Sequence, residues 1–434
     1  MTSQTQTAPA TPEAALLDGF AEIAGDLWFP ERQRKAMDAF SETGFPTLKD
    51  ERYKYTPIRN FLKTDFALHP ATRPVTAQDI EARQLPEMDG LVAVFVNGVF
   101  QSALSRLADL PRGLYVAPFS QAKTDDTEAL LAHFGHIASV ENDAFVALNT
   151  AYCREGLLVH VSKGRAIEPV LHILNIVSVE EPALIQPRLL VVAEEGASIR
   201  MVESRFSTTD VVAFVNPVSE FSVARDANVS YYLLQDSGAA VLEHHTLQSH
   251  QETRSVFTTF ALTTSGRLVR NNLSYLPNAE FCTTNLYGVV VGSGQMHVDN
   301  ATFVDHAMPN CESNELYKHV LADQSTCVFN GKIMVRPDAQ KTNAYQSNKT
   351  IVVSEGAKIF SKPELEIYAD DVKCSHGAAT GKIDHDALFY LRARGLNPTL
   401  ARKLLLVAFV GEVTDKLALP NLKTDWSDRI TDRL

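Results

Sequence analysis

No Cys-x-x-Cys pair occurs among the five cysteines of this 434-residue chain, which stand at 153, 282, 311, 327 and 374. Zinc ribbons, thioredoxin-type redox motifs and secreted disulfide frameworks are thereby excluded as organising features, and reduced thiols are expected. Long apolar runs are missing too. The longest, Leu404 to Val410, is bounded by Lys403 and Glu412, far short of the roughly 18 residues a membrane helix needs, so no membrane span is expected. The first 31 residues hold neither Lys nor Arg, which removes the basic segment of a signal peptide and the Arg-rich face of a transit peptide. A cytoplasmic location and a loose tail over residues 1–11 follow as expectations. Positive charge is in deficit, with 40 Lys and Arg against 52 Asp and Glu for a net of −12. Neither nucleic acid nor an anionic membrane surface is an expected partner.

Familiar catalytic signatures are equally scarce. "GAATGK" at 377–382 is one residue too short between its glycines for a phosphate loop, and Ile383 stands where a magnesium-holding Ser or Thr belongs. "GVVVGSG" at 288–294 lacks the third glycine of a dinucleotide fingerprint. There is no G-x-S-x-G elbow and no H-E-x-x-H.

What is present is a globular composition, 45% apolar and 21% charged, over a length that suggests about three domains. Residues 1–145 read as a helical and mixed α/β region. Leu16, Phe20, Ile23 and Leu27 recur at helical spacing, and a second helix starts at Pro30 and stops at Gly44. "LVAVFVNGVF" and "LYVAPF" then read as short strands, followed by a helix around 125–134, so that 90–120 looks like a small mixed unit.

Residues 146–382 are rich in short alternating runs divided by one kind of turn signal: "EEGAS" at 194, "RDANV" at 225, "PNAEF" at 277, "GSGQM" at 292, "PDAQK" at 337, "EGAKI" at 355 and "DDVKC" at 370. Several of these are spaced at about 15 residues, the mark of stacked units that cannot bury their apolar faces alone; a β-helix is expected. A two-sheet sandwich competes, but hairpin signals are scarce, with Asn-Gly only at 97–98 and 330–331.

Residues 383–434 turn helical. Asp384 caps one short helix, and Asn397-Pro398 opens a second with apolar residues on two stripes: Leu406, Val410, Val413 and Leu417 on one, Leu400, Leu404 and Val407 on the other. A surface helix does not need both. The segment either packs on the chain's own body or offers a surface to a partner.

Candidate ligands cluster in "VDHAMPNCESNELYKH", which brings Asp305, His306, Cys311, Glu312, Glu315 and His319 close in sequence, and in "KCSHG", where Cys374 and His376 share one face of a strand. A thiolate with an imidazole suits iron or zinc, although two residues cannot complete a site and such a pair is commonly just a small hydrophobe and a hydrogen-bonded imidazole. His244, His245 and His250 form a poorer group, accompanied only by Glu243. Cys153, Cys282 and Cys327 read as packing residues.

The stretch 329–396, from "FNGKIMVRPDAQ" through "DDVKCSHGAATGKID" to "LRARGL", closely resembles the SufB/SufD family of SUF iron–sulfur cluster assembly scaffold subunits, as do "ERYKYTP" at 51–57 and "ALNTAYCREGLLVHVSKG" at 147–164. The resemblance covers essentially the whole chain; Tyr53 replaces the family's usual Trp. It implies a mainly β protein, a right-handed parallel β-helix flanked by an N-terminal helical region and a C-terminal helical domain. It also implies a non-catalytic scaffold pairing with a SufB paralogue through the β-helix and binding the SufC ATPase on the C-terminal helices at Leu400, Leu404, Val407, Val410 and Val413. Nascent iron–sulfur clusters would pass to apoproteins. The family's B type carries cysteine at Ser347 and glutamate at His376, so the D type is the better match. Carried over by motif, His376 becomes the contribution to a transient interface cluster, with Cys374 second. The resemblance assigns no flavin to this chain. A purely structural partner subunit is the rival reading. A carbohydrate-active β-helix enzyme is remote, because Asp370 and Asp371 would lie on opposite strand faces.

Overall fold

The computed structural model describes residues 12–434 apart from 24, 26, 82, 86–89 and 142; the expected tail over 1–11 lies outside the described residues. Two long sheets run side by side. One leads from Leu91–Val96 and its hairpin partner Val99–Phe100 to Lys373–Gly381, the other from Leu114–Pro118 to Lys358–Ile367. From Leu171 onward successive strands mostly alternate between the sheets, and each pairs in parallel with a strand one turn away. Thr283 lies beside Glu312, Glu312 beside Asn343 and Asn343 beside Lys373, so a turn takes about 30 residues. The expected β-helix is therefore a solenoid of about eight turns. The 15-residue step in the sequence is half a turn, one strand with its corner.

One corner shows why these residues suit it. Asp226, Arg254, Phe281, Asn310 and Lys341 recur once per turn with φ of 58, 59, 61, 61 and 60°, following Gly196 at 67°. A left-handed residue reverses the chain within the tight corner. The next side chain then points inward where only small groups fit. Ala227, Ser255, Cys282, Cys311 and Thr342 fill that column, all buried. Cys282 and Cys311 both direct their Sγ to the Ala279 carbonyl at 3.1 Å.

At the N-terminal end the solenoid is closed. Leu91–Val96 pairs in parallel with Leu171–Val177, and Leu114–Pro118 pairs antiparallel with Leu157–Val161. The segment expected to form a small mixed unit thus supplies end strands to both sheets. Helices Pro12–Ile23 and Pro30–Thr43 form as expected, the second starting on proline and ending at Gly44 with φ 60°. The helix expected around 125–134 forms as Thr127–His133, and a further helix, Phe119–Asp125, precedes it, the chain turning between them at Asp126 (φ −140°).

Asp126 is held there by His160, whose Nδ1 lies 2.6 Å from its carboxylate while Nε2 lies 3.0 Å from Glu194. Partial burial acts to lower the His160 pKa, but hydrogen bonds and charge from the two carboxylates prevail and raise it. A group raised in the folded state stabilises it fully below its ordinary value near pH 6.5, and that contribution is lost as pH climbs through the raised value. The thermal midpoint should therefore fall as pH rises above about 6.5, and His160→Gln should flatten that fall. Melts of both proteins across that range check it.

"ERYKYTP" forms a strap across the outside of the second sheet. His244, Arg270 and Asp299 stand in register on three successive turns. Tyr53 covers this column: its hydroxyl is 3.0 Å from His244 Nε2 and its ring lies 4.0 Å from the Arg270 guanidinium. Arg270 pairs with Asp299, which also accepts from the Thr56 hydroxyl.

The C-terminal helices His385–Ala393, Pro398–Thr414 and Pro420–Arg433 fold back on the outside of the first sheet. Asp384 and Asn397 accept the backbone N–H groups of the first turns, as expected of caps. Leu406, Val410, Val413, Leu422 and Trp426 are buried against Tyr232, Phe260, Leu262, Val289 and Val320. Lys318, buried beneath, meets Glu412 at 2.6 Å.

Candidate functional site

The solenoid is capped at one end and bare at the other. Among the described residues, Lys358–Ile367 and Lys373–Gly381 are the last strands of their sheets and have no further partner. Lys373 N–H donates to Thr342 O (2.9 Å), and alternation along a parallel strand then directs the N–H and C=O groups of Cys374, His376, Ala378 and Thr380 to the open edge. On the other strand Lys358 N–H donates to Ser325 O (2.9 Å), which places Pro363 at an edge-facing position. Its missing N–H blunts that edge; the 373–381 strand keeps every donor.

Cys374 and His376 share the interior face of the last rung. Cys374 is half-buried and packs on the end of the internal core, where burial raises its thiol pKa. His376 lies in register with Gln346 and is exposed, because no further turn covers it. Gln346 in turn lies in register with Glu315 and donates to its carboxylate at 2.8 Å; Glu315 also accepts from Thr302 at 2.6 Å. Burial pushes the Glu315 carboxyl up to about 7. Glu315, Gln346 and His376 are thus one interior column over three turns, ending at the surface. The sequence reading singled out Glu315 and His376 but missed Gln346. A 30-residue offset, once recognised, connects all three. Ser347 is on the opposite strand face from Gln346.

The remaining expected ligands are dispersed. Asp305 pairs with Arg336 at 2.7 Å, His306 lies 2.9 Å from the Ser313 hydroxyl, and His319 lies 3.2 Å from the Thr350 hydroxyl. Burial lowers His306 to about 4 and His319 to about 3. Cys311 sits in the corner column and Glu312 faces outward. His244 faces the strap, His245 lies 3.1 Å from the Ser219 hydroxyl on the adjacent strand of the same sheet, and His250 is exposed. Among the described residues no three His, Cys, Asp or Glu side chains are arranged to hold a metal ion. A thiol and an imidazole at the open rung are soft-metal donors, and their coordination shell would have to be completed by another molecule.

The expected docking stripe divides in two. Val410 and Val413 are only 2% and 0% exposed and packed against the first sheet, so the solenoid already occupies them; this corrects their assignment to a partner surface. Leu400 and Leu404 remain 42% and 44% exposed, with Phe389 at 72% and Tyr390 at 56% on the adjoining helix. Val407 is intermediate.

These features define a β-solenoid protein with a finished and an unfinished end, the second carrying soft ligand groups beside an unpaired strand. The description "SufBD protein N-terminal region" matches residues 28–173, and "SUF system FeS cluster assembly, SufBD core domain" matches 175–409. The chain belongs to the SufBD family of iron–sulfur cluster assembly proteins. It is 31% identical to a SufBD family protein of Synechocystis sp. over 95% of this chain and 92% of that one. It is 30% identical to the iron–sulfur cluster assembly protein SufD of Escherichia coli over 95% of each chain. The chloroplastic protein ABCI7 of Arabidopsis thaliana is 29% identical over 88% and 81%. No helix among the described residues is long and apolar enough to cross a membrane.

Proposed function

We propose that this chain is a D-type, non-catalytic scaffold subunit that pairs with a B-type paralogue through its open solenoid end and lends His376, with Cys374 behind it, to an iron–sulfur cluster built between the two. The cluster is cargo, assembled there and passed to apoproteins. The observation that carries the reading is the last rung. Interior-facing ligand groups are uncovered there beside a strand with a full set of free donors and acceptors. A partner strand added to 373–381 would continue the sheet and bring further ligands over His376. Imidazole donates less strongly than thiolate, which suits a site that must release its cluster. The ATPase subunit docks on the exposed faces of the two helices 385–393 and 398–414.

The pairing is tested by Ala378→Pro. The substitution removes an edge N–H that this chain does not use, so its own fold should persist. Co-expression should then give a chain that retains the ATPase subunit but no longer co-purifies with the B-type subunit. Undiminished pairing would place the interface elsewhere.

A further inference from the structure

The Gln346 side chain is nearly fully buried between two rungs, and its amide is oriented by what lies on one side. Nε2 donates to Glu315 Oε2 at 2.8 Å, while Glu315 Oε1 is occupied by the Thr302 hydroxyl at 2.6 Å. While Glu315 is ionised, turning the amide over would set its carbonyl oxygen against a carboxylate that can only accept, so the ionised carboxylate fixes the orientation. Oε1 consequently faces away from Glu315, and it is buried without a partner. The residue in register on that side is His376.

Space for this arrangement has been left on the opposite sheet. Gly331 lies mid-strand in Thr326–Val335, and a Cβ there would collide with Gln346 Nε2. Its φ is not left-handed, so backbone conformation does not call for glycine. The close approach of the Gln346 amide does, together with that of the Phe329 ring edge. The Asn-Gly pair at 330–331, which read as a turn signal, is explained by this contact.

We propose that Gln346 is a positioning residue for His376: its carbonyl oxygen accepts one imidazole N–H, fixing the tautomer and aiming the other ring nitrogen out of the open rung. This rests on the proposed role of His376 as a ligand. A ligating imidazole must present one nitrogen without a proton, and an acceptor on the other holds the ring in that state. An unpaired buried carbonyl is costly, which favours the contact. Asn348 supplies an internal contrast. Its Oδ1 is likewise unpartnered and its Nδ2 donates to Ser361 at 3.2 Å, but it lies opposite Ala378, which has no side-chain donor.

The test is nitrogen NMR of the full chain with labelled histidine at about pH 8.5, where the Glu315 carboxyl is ionised, the His376 signals being identified by their loss in His376→Asn. The native chain should show one ring nitrogen protonated and the other not. Gln346→Leu should give averaged shifts, Gly331→Ala should do the same by displacing the amide, and Asn348→Leu should leave the native pattern. An unchanged His376 pattern in folded Gln346→Leu overturns the proposal, as does an equal change in Asn348→Leu. The outcome is independent of cluster loading. A tautomer shift in Gln346→Leu together with unchanged cluster content in His376→Ala complexes would keep the contact and remove the ligand role; the reverse pair would do the opposite.

Discussion

Replacing Leu400 and Leu404 together by aspartate is expected to abolish co-purification of the ATPase subunit while leaving the chain's thermal midpoint unchanged. Both side chains are exposed on a helix whose other stripe is buried on the solenoid, and Phe389 and Tyr390 extend the same apolar surface. An exposed apolar patch of this kind has a cost in solvent that a partner removes. If each leucine is an anchor of about 2 kcal/mol, losing both weakens binding by roughly a thousandfold. Val413→Asp serves as the contrast. It places a charge in a fully buried position, so it should lower the thermal midpoint sharply before docking is in question. Pull-down and melting curves on both variants check the division of the helix. Retention of the ATPase subunit by the Leu400 and Leu404 double variant would remove this surface from the interface.

The second large effect is on stability. Arg270→Met leaves Asp299 buried beneath the strap with its cation gone, a change that costs about 3–5 kcal/mol. Arg270 also loses its place under the Tyr53 ring, and the Thr56 hydroxyl is left on an uncompensated carboxylate. The thermal midpoint should fall by several degrees. Arg270→Met with Asp299→Leu should be less damaged than Arg270→Met alone, because the pair then disappears together. Equal midpoints for the single and double variants would show that the column contributes packing and little charge coupling.

The helices were legible in the sequence because their ends carry local chemistry: Pro30 and Gly44, Asp384, and Asn397 before Pro398 act through backbone groups only a few residues away. The solenoid was legible through its corners, but its period was not, since strand and corner look alike on both sheets and half a turn repeats as clearly as a whole one. Nothing in "EHHT" tells that His244 meets Tyr53 while His245 meets Ser219, because that depends on contacts from the N-terminal region and from the strand one turn earlier. The two stripes of the 398–414 helix were visible. Which of them was already covered was not, as the covering sheet lies more than a hundred residues earlier in the chain for most of its contacts. Cys374 and His376 were found by motif and strand alternation. Gln346 was missed because it carries no ligand chemistry of its own and acquires meaning only through register with Glu315 and His376.

In the proposed function the open rung contributes a ligand to a cluster shared between two chains. Anaerobic reconstitution of the complex with His376→Ala, measuring iron and sulfide per complex beside the yield of the complex itself, tests it most directly. A several-fold fall in cluster content with all subunits still assembled is the predicted result. Full cluster content in a normally assembled complex would contradict it and leave this chain a structural partner.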